Sequence, residues 1–387
     1  MSFEVSYEGS KMIIPELSCD CGYTHAIPDL DVYIGRGILP ESAKHIRKRN
    51  LGDNLVLVAD NITYAVAGKV LEKILREDGF QVTLCILERD DELKPDETAI
   101  GEVLLSMDSE TNFLVAVGSG SVTDTTRYVA FRTGKPFVSI GTAASMDGYT
   151  SVVAPLLFNG QKVNKPSSCP LIIICDVDVM MTAPEPMFVS GVGDVLGKYI
   201  AKADWLLGNI INDEAYCPLC ANIITQAVDN CMANIDIIKN RTPEGTRVLI
   251  EALILAGITI LIVGNTRPVA SIEHNMGHYW EMKKLERKEE APSHGTAVGV
   301  GTIYSLKFFD FFLNVDLSKI DKDQIRENRL TREERIGKMI AGYGEKIAKS
   351  IMHENPEDFL DWDEQERRID RVSNHMEQIR EVLRFLP

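Results

Sequence analysis

The 387-residue chain is short of several features that would place it in other classes of protein. It has no apolar run long enough to cross a bilayer, which takes about 20 residues. Its most apolar stretch, Val248–Val263, is interrupted by Glu251 and reads as a buried helix. Met1–Ser10 carries two glutamates and no apolar core of signal length, so no secretory leader is expected there. Basic residues are scarce: 41 Lys and Arg face 57 Asp and Glu, a net charge of −16, with no local basic patch. Such a surface repels a phosphate backbone, which makes nucleic acid and anionic membrane poor partners. Eight cysteines in a chain of this length do not make a disulfide scaffold. Internal repeats and low-complexity segments are absent too. What remains is the expectation of a cytoplasmic globular protein that acts on a small molecule.

The size suits two domains, and 45% hydrophobic with 25% charged residues is an ordinary globular mixture. Residues 31–180 alternate short apolar runs with helical patterns. Leu55–Ala59, Gln81–Leu87, Asn112–Val117, Pro136–Ile140 and Leu171–Ile174 read as strands, and Tyr64–Glu77 as a helix. Continuous apolar strands spaced by helices predict a parallel sheet covered on both faces. Beyond Met180 helical patterns dominate: Gly193–Leu207, Cys217–Lys239, Gly245–Val263, Thr296–Leu313, Arg332–Lys349 and Glu364–Phe385. The expected fold is an α/β N-terminal nucleotide-binding domain (31–180) and an all-α C-terminal domain (181–387), after an N-terminal extension (1–30). The cleft between the two domains is the default site.

The most informative loop is Val117–Asp124, VGSGSVTD, between a buried strand and a helix predicted over Thr125–Arg132. Gly118 and Gly120 permit a tight turn and close approach of a ligand. Free amides at a helix start favour a pyrophosphate. The spacing departs from the usual dinucleotide fingerprint, because Thr123 stands where the third glycine belongs, and a plain turn explains the glycines equally well. The next strand ends in a hydroxyl-rich loop, Gly141–Ser151. Its Asp147 can accept from substrate hydroxyls or make a local turn before Gly148. Asp60, which closes a strand, can hold a ribose hydroxyl pair or cap the following helix.

Only seven histidines are present, and three fall close together. His274 and His278 are spaced i, i+4 and share one face of a helix. His294 precedes Gly295 at the start of a long apolar helix, and Asp194 follows Gly191-Val192-Gly193 at the head of another. Each residue alone fits a surface, core or capping role. One acid with two or three imidazoles from separate segments also matches an open catalytic metal site. Glu273 precedes His274 rather than following it, so the pattern is not that of a zinc protease. Cys19 and Cys21, with His25 nearby, and the pair Cys217 and Cys220 supply enough ligands for a zinc site. The second pair, however, lies in a helical pattern and nothing in the sequence brings the two together, so reduced, unlinked thiols are expected.

Taken in order, GSGSVTD (118–124), TAASMDGYTS (142–151), GVGDVLGKYIAKADW (191–205), TRPVASIEHNMGHYWEM (266–282) and SHGTAVGVGT (293–302) resemble the glycerol-1-phosphate dehydrogenases. The likeness is to their bacterial branch, sometimes called arabinose-operon proteins, within the superfamily of iron-type alcohol dehydrogenases and dehydroquinate synthase. It runs from about Val32 to Leu313. It implies that Asp60, Gly118, Gly120, Ser121, Val122, Thr123, Asp124, Thr142, Ala143, Ala144, Ser145 and Ser151 contact NAD(P). It implies that Asp194, His274 and His294 bind one divalent metal, nickel or zinc. Asp147, Asp194 and His278 would be the catalytic and substrate-contacting residues. The implied reaction is reversible reduction of dihydroxyacetone phosphate to sn-glycerol 1-phosphate by a homodimer.

A carboxylate at Asp60 would repel a 2′-phosphate, so NADH is expected to be accepted. Arg267, Arg127 and Lys198 are the candidates for the substrate phosphate. The segment Pro268–Ile272 lacks the Ser-Gly step of relatives, which bears on local backbone shape, and charged Met282–Ala291 is read as a solvated face. A polyol-oxidising glycerol dehydrogenase is the first alternative, although that family carries Asp-Ala where this chain has Asp147-Gly148. Dehydroquinate synthase would need more basic residues around the ligands. A non-catalytic metal- and nucleotide-binding protein is the alternative of another class.

Overall fold

The structure is a computed structural model. It describes residues 5–386 apart from 16, 20, 23, 24, 26–28, 160, 317, 318, 346, 347, 350, 351, 353–359 and 385. The chain forms two compact units, 1–202 with 217–304, and 203–216 with 305–387.

The first unit is built on an eight-stranded sheet. Its strands are β1 (Ser6–Glu8), β2 (Lys11–Ile13), β3 (Asp31–Gly35), β4 (Asn54–Asp60), β5 (Gln81–Leu87), β6 (Phe113–Gly118), β7 (Phe137–Gly141) and, after a separate hairpin of β8 (Val153–Phe158) and β9 (Gln161–Pro166), β10 (Ile172–Asp176). The order is β1-β2-β3-β10-β7-β6-β4-β5. From β3 to β5 every pairing is parallel, with Ala59 beside Val117 and Val117 beside Ile140. Alternation of side chains explains the apolar runs. Leu55, Leu57, Ala59, Phe113, Val115 and Val117 fill the core on one face, while Val56, Val58, Leu114 and Ala116 fill it on the other. Because both faces are covered, no polar residue interrupts the interiors of β4 and β6.

The parallel order has a functional consequence. After β4 the chain moves outward to β5, and after β6 it moves the other way to β7. The β4–β6 boundary is therefore the switch point, where loops diverge and leave a crevice at the carboxyl ends of the strands. Asp60 ends one of these strands and Gly118 the other.

Helices α1 (Ser42–Lys48), α2 (Lys69–Glu77), α3 (Glu97–Leu105) and α4 (Gly120–Thr133) connect the strands. Five longer ones follow among the described residues: α5 (Glu185–Asn212), α6 (Pro218–Ala233), α7 (Pro243–Val263), α8 (Ile272–Glu286) and α9 (His294–Leu313). Local chemistry sets their limits. Thr242 caps α7 by accepting from the Gly245 amide, Pro243 occupies its first turn, and Gly264 ends it at φ +80°. The expectation of no run long enough to cross a bilayer is corrected: helices α7 and α9, at 21 and 20 residues, are both long and apolar enough by length and composition, and α7 is largely buried inside the first unit as a core helix.

The second unit carries α10 (Lys322–Glu327), α11 (Arg332–Tyr343), α12 (Trp362–Asn374) and α13 (Met376–Arg384). Arg371 binds Asp213 within it, and Trp205 Nε1 donates to Ala215 O at 2.8 Å. Two helices expected as continuous are broken, Cys217–Lys239 at Asn234 and the C-terminal one at His375. Phe385 of the latter lies outside the described residues, as do 346 and 347 of the predicted Arg332–Lys349 helix. The β8–β9 hairpin was not expected.

Candidate active site

At the switch point, Gly118 and Ser119 lead directly into α4. A side chain at Gly118 would lie 2.6 Å from Cβ of Val122, so only glycine lets the loop fold back onto its helix. Val122 and Thr123 are buried, which confines any ligand contact there to the main chain. Asp124 pairs with the fully buried Arg127 at 2.8 Å. Arg127 also donates to Gly148 O, Tyr149 O and Val153 O. It thereby pins the 148–153 loop to α4 and is committed to structure. Burial pushes the Asp124 carboxyl up to about 7, against the pull of Arg127.

The 142–151 loop is sewn to the same edge. Thr142 N donates to Gly118 O at 3.2 Å, Tyr149 Oη donates to Ala143 O at 2.8 Å, and the Ser119 and Ser145 hydroxyls lie 2.7 Å apart. Ala143 and Ala144 are buried, and the Ser151 hydroxyl donates to Val153 O. Asp60 does cap the next helix: Oδ1 accepts from Ile62 N and Thr63 N at 2.9 and 2.7 Å. Both cap bonds use one oxygen, so capping leaves Oδ2 available and the two readings of this residue are compatible.

Three segments of the first unit meet in an acid–imidazole cluster. Asp194 on α5, His274 on α8 and His294 at the head of α9 each offer one donor atom, all within 4.8 Å of one another. Asp194 is fully buried, and its Oδ1 lies 3.6 Å from His274 Nε2. The other nitrogen of His274, Nδ1, is 2.7 Å from Glu273 Oε1. Glu273 is itself fixed by the amide and hydroxyl of Ser271 at 3.0 and 2.6 Å. A buried carboxylate on Nδ1 fixes the ring and turns Nε2 toward Asp194, as ligand histidines require. The donor set and its support therefore fit a divalent cation. His278, Glu281 and His294 form an overlapping second group with the same compactness.

Two lysines balance these acids. Lys198, one turn after Asp194, is 2.5 Å from Asp194 Oδ1 and 2.7 Å from Asp147 Oδ2. The Asp147 amide donates to Asp194 Oδ2 at 2.9 Å, so the 142–151 loop and α5 are bound to each other. Lys162, from the β8–β9 hairpin, pairs with Glu281 and stands 3.4 Å from His278 Nδ1. Burial opposes the charge on Asp194, but Lys198, His274 and His294 outweigh it and hold the carboxyl well below the usual range. Burial likewise works against protonated Lys198, and Asp147 with Asp194 reverse this and keep it charged. Burial pushes the His278 imidazole down to about 4, despite the opposing pull of Glu281.

The helices reach this spacing because glycines meet. A methyl at Gly193 would sit 2.2 Å from Gly295 O, and one at Gly295 would sit 1.8 Å from Ser190 O. Gly191 similarly faces Ala144 O at 2.0 Å. The glycines of GVGDVLG and HGTAVGVG thus let α5, α9 and the 142–151 loop pack backbone to backbone. Sequence reasoning did not assign Glu273, Glu281 or Lys162. The signal for Glu281 was its place seven residues after His274, on the same helix face. Of the phosphate candidates, Arg127 and Lys198 are buried in ion pairs, and Arg267 is half-buried in the turn before α8. The expected solvated face is borne out only for Glu286–Glu290; Met282–Leu285 is half-buried, and Lys283–Glu286 and Lys284–Glu289 pair along the segment. All eight cysteines are free, as expected, but Cys217 caps α6 instead of lying within a helix, and its sulfur comes together with the donor atoms of Cys19, Cys21 and His25.

Comparison with known proteins agrees with this architecture. Residues 33–184 match the family model described as iron-containing alcohol dehydrogenase. The glycerol-1-phosphate dehydrogenase (NAD(P)+) of Halalkalibacterium halodurans is 35% identical, over 74% of this chain and 72% of its own. That of Geobacillus stearothermophilus is 33% identical, over 73% and 71%. The crystal structure of glycerol dehydrogenase from Schizosaccharomyces pombe superposes with a TM-score of 0.63 at 17% identity, covering 96% of this chain and 97% of that one, a likeness of fold.

Proposed function

Because the chain belongs to the glycerol-1-phosphate dehydrogenase family, we propose that it reversibly transfers hydride between NAD(P)H and dihydroxyacetone phosphate, giving sn-glycerol 1-phosphate. The observation that carries this reading is the convergence of Asp194, His274 and His294 beside Asp147, in the unit that bears the switch-point crevice. In this reading 31–180 binds the dinucleotide and 181–387 supplies the metal and substrate residues, with 1–30 as an extension.

Asp194, His274 and His294 would hold one nickel or zinc ion, which when bound polarises the substrate carbonyl as a Lewis acid. The dinucleotide, held by Asp60, the Gly118–Asp124 loop, Thr142–Ser145 and Ser151, supplies or accepts the hydride. The chain's own groups do the positioning. Glu273 orients His274, and Lys198 aims the Asp147 carboxylate, which would accept from substrate hydroxyls. His278, whose Nδ1 lies 3.4 Å from both Glu281 Oε2 and Lys162 Nζ and bonds one or the other according to its tautomer, is the candidate for relaying the proton. Arg267, Arg127 and Lys198 are the candidates for the substrate phosphate. The protein is read as a cytoplasmic homodimer with no nucleic-acid or membrane partner.

The deciding assay follows NADH and NADPH consumption with dihydroxyacetone phosphate after loading with nickel or zinc, against oxidation of glycerol. The expected result is a large preference for the phosphorylated substrate; a large preference for glycerol overturns the reading. The His278–Glu281–His294 group supports a second seat for the ion. Metal loss in Glu281→Gln but not in Asp194→Asn would select it.

A further inference from the structure

The mechanism makes no use of the cysteines. Cys19, Cys21 and His25 come from the N-terminal segment, and Cys217 from the cap position of α6. Their four donor atoms lie within 4.8 Å of one another. We propose that these four residues form a closed, tetrahedral zinc site, separate from the acid–imidazole cluster, that clamps the N-terminal segment onto the start of α6.

The distances suit this. Zn–S bonds of about 2.3 Å and a Zn–N bond of about 2.0–2.1 Å in a tetrahedron place sulfurs about 3.8 Å apart and sulfur about 3.5 Å from nitrogen. Here Cys19 Sγ and Cys217 Sγ are 4.0 Å apart, and His25 Nε2 lies 3.3 Å from Cys21 Sγ and 3.5 Å from Cys217 Sγ. A disulfide would instead bring two sulfurs to about 2.05 Å, and all the cysteines are free. The donor chemistry also differs from the other cluster. Three thiolates and one imidazole form a soft set that fills four-coordinate zinc and leaves no position for substrate.

Two local features prepare the ligands. Cys217 sits at a helix N-terminus, which favours thiolate, and its sulfur accepts from the Cys220 amide at 3.4 Å. Gly22 takes φ +87° directly after Cys21, a left-handed backbone conformation that glycine adopts without strain. The segment needs such an anchor. Between Ile13 and Asp31 no described residue lies in a helix or strand, so regular backbone pairing does not hold it in place there. Binding would release to solvent whatever thiol protons the three cysteines still carry.

The test uses full-length protein carrying His274→Ala in a Glu281→Gln background, which removes a ligand from each of the two acid–imidazole groups, expressed with zinc. The readouts are zinc per chain and zinc-edge X-ray absorption. The expected result is about one zinc, bound by three sulfurs at about 2.3 Å and one nitrogen. Adding Cys217→Ser or Cys19→Ser should reduce zinc to near zero. Absence of zinc from this double variant, a shell of nitrogen and oxygen only, or a Cys19–Cys217 disulfide by mass spectrometry would overturn the proposal. If the cysteine variants fail to fold, the absorption spectrum of the double variant alone decides.

Discussion

The two clusters of metal-ligating side chains in the first unit are built in opposite ways. The acid–imidazole cluster hangs on three helices, two of which touch glycine to glycine, and its residues are surrounded by buried acids and lysines. The cysteine cluster hangs on an irregular segment and one helix cap. The first is hard-donor, supported on rigid elements and suited to leaving a coordination position for substrate. The second is soft-donor and complete in itself. Chemistry of exchange calls for the former and fastening calls for the latter.

The largest expected effect comes from His274→Ala. It should abolish metal-dependent NAD(P)H turnover, by about a thousandfold or more, and sustained turnover would show that the acid–imidazole cluster is not the reacting centre. Removing the support instead of the ligand should be milder. Glu273→Gln should weaken metal affinity by about 10–100-fold, read by competition with a chelator, without changing the metal content of the cysteine cluster. Gly295→Ala tests the packing. Its methyl would collide with Ser190 O, and we expect a loss of about 1–3 kcal/mol in denaturant unfolding together with weakened metal binding.

Asp60→Ala removes a helix cap worth about 1 kcal/mol. If Oδ2 also faces a ribose, the ratio of NADH to NADPH efficiency should fall, and an unchanged ratio would leave Asp60 a cap alone. The smallest effect concerns acid stability. Burial raises the Asp31 carboxyl, but Lys11 and Arg49 outweigh it and hold it below the usual range. A depressed carboxylate contributes stability above its unfolded pKa and loses it as pH falls through its folded value. Asp31→Asn should therefore flatten the acid limb of the stability curve and leave neutral pH less stable.

The same comparison shows what a sequence can reveal. The strands carrying Asp60 and Gly118 were legible because burial on both faces leaves an unbroken apolar signature, and the one ending at Gly141 is broken only by the buried Ser139. Asp194, His274 and His294 were legible as residue types, helped by resemblance, but not as neighbours. Their approach depends on Gly193 meeting Gly295, a property of two helix surfaces that neither sequence segment displays alone. The β8–β9 hairpin was hidden because its strands contain Pro155 and Pro166 and are half exposed, so it lacks the apolar pattern. Cys217 looked helical because the pattern began at it. Pro218 in the first turn was the available sign that the cysteine caps the helix instead.

Lys198 has a consequence for how the protein reaches its working form. Two carboxylates inside the molecule share an ammonium that is covalently part of α5, so electrostatic compensation arrives with translation and does not depend on cellular supply of an ion.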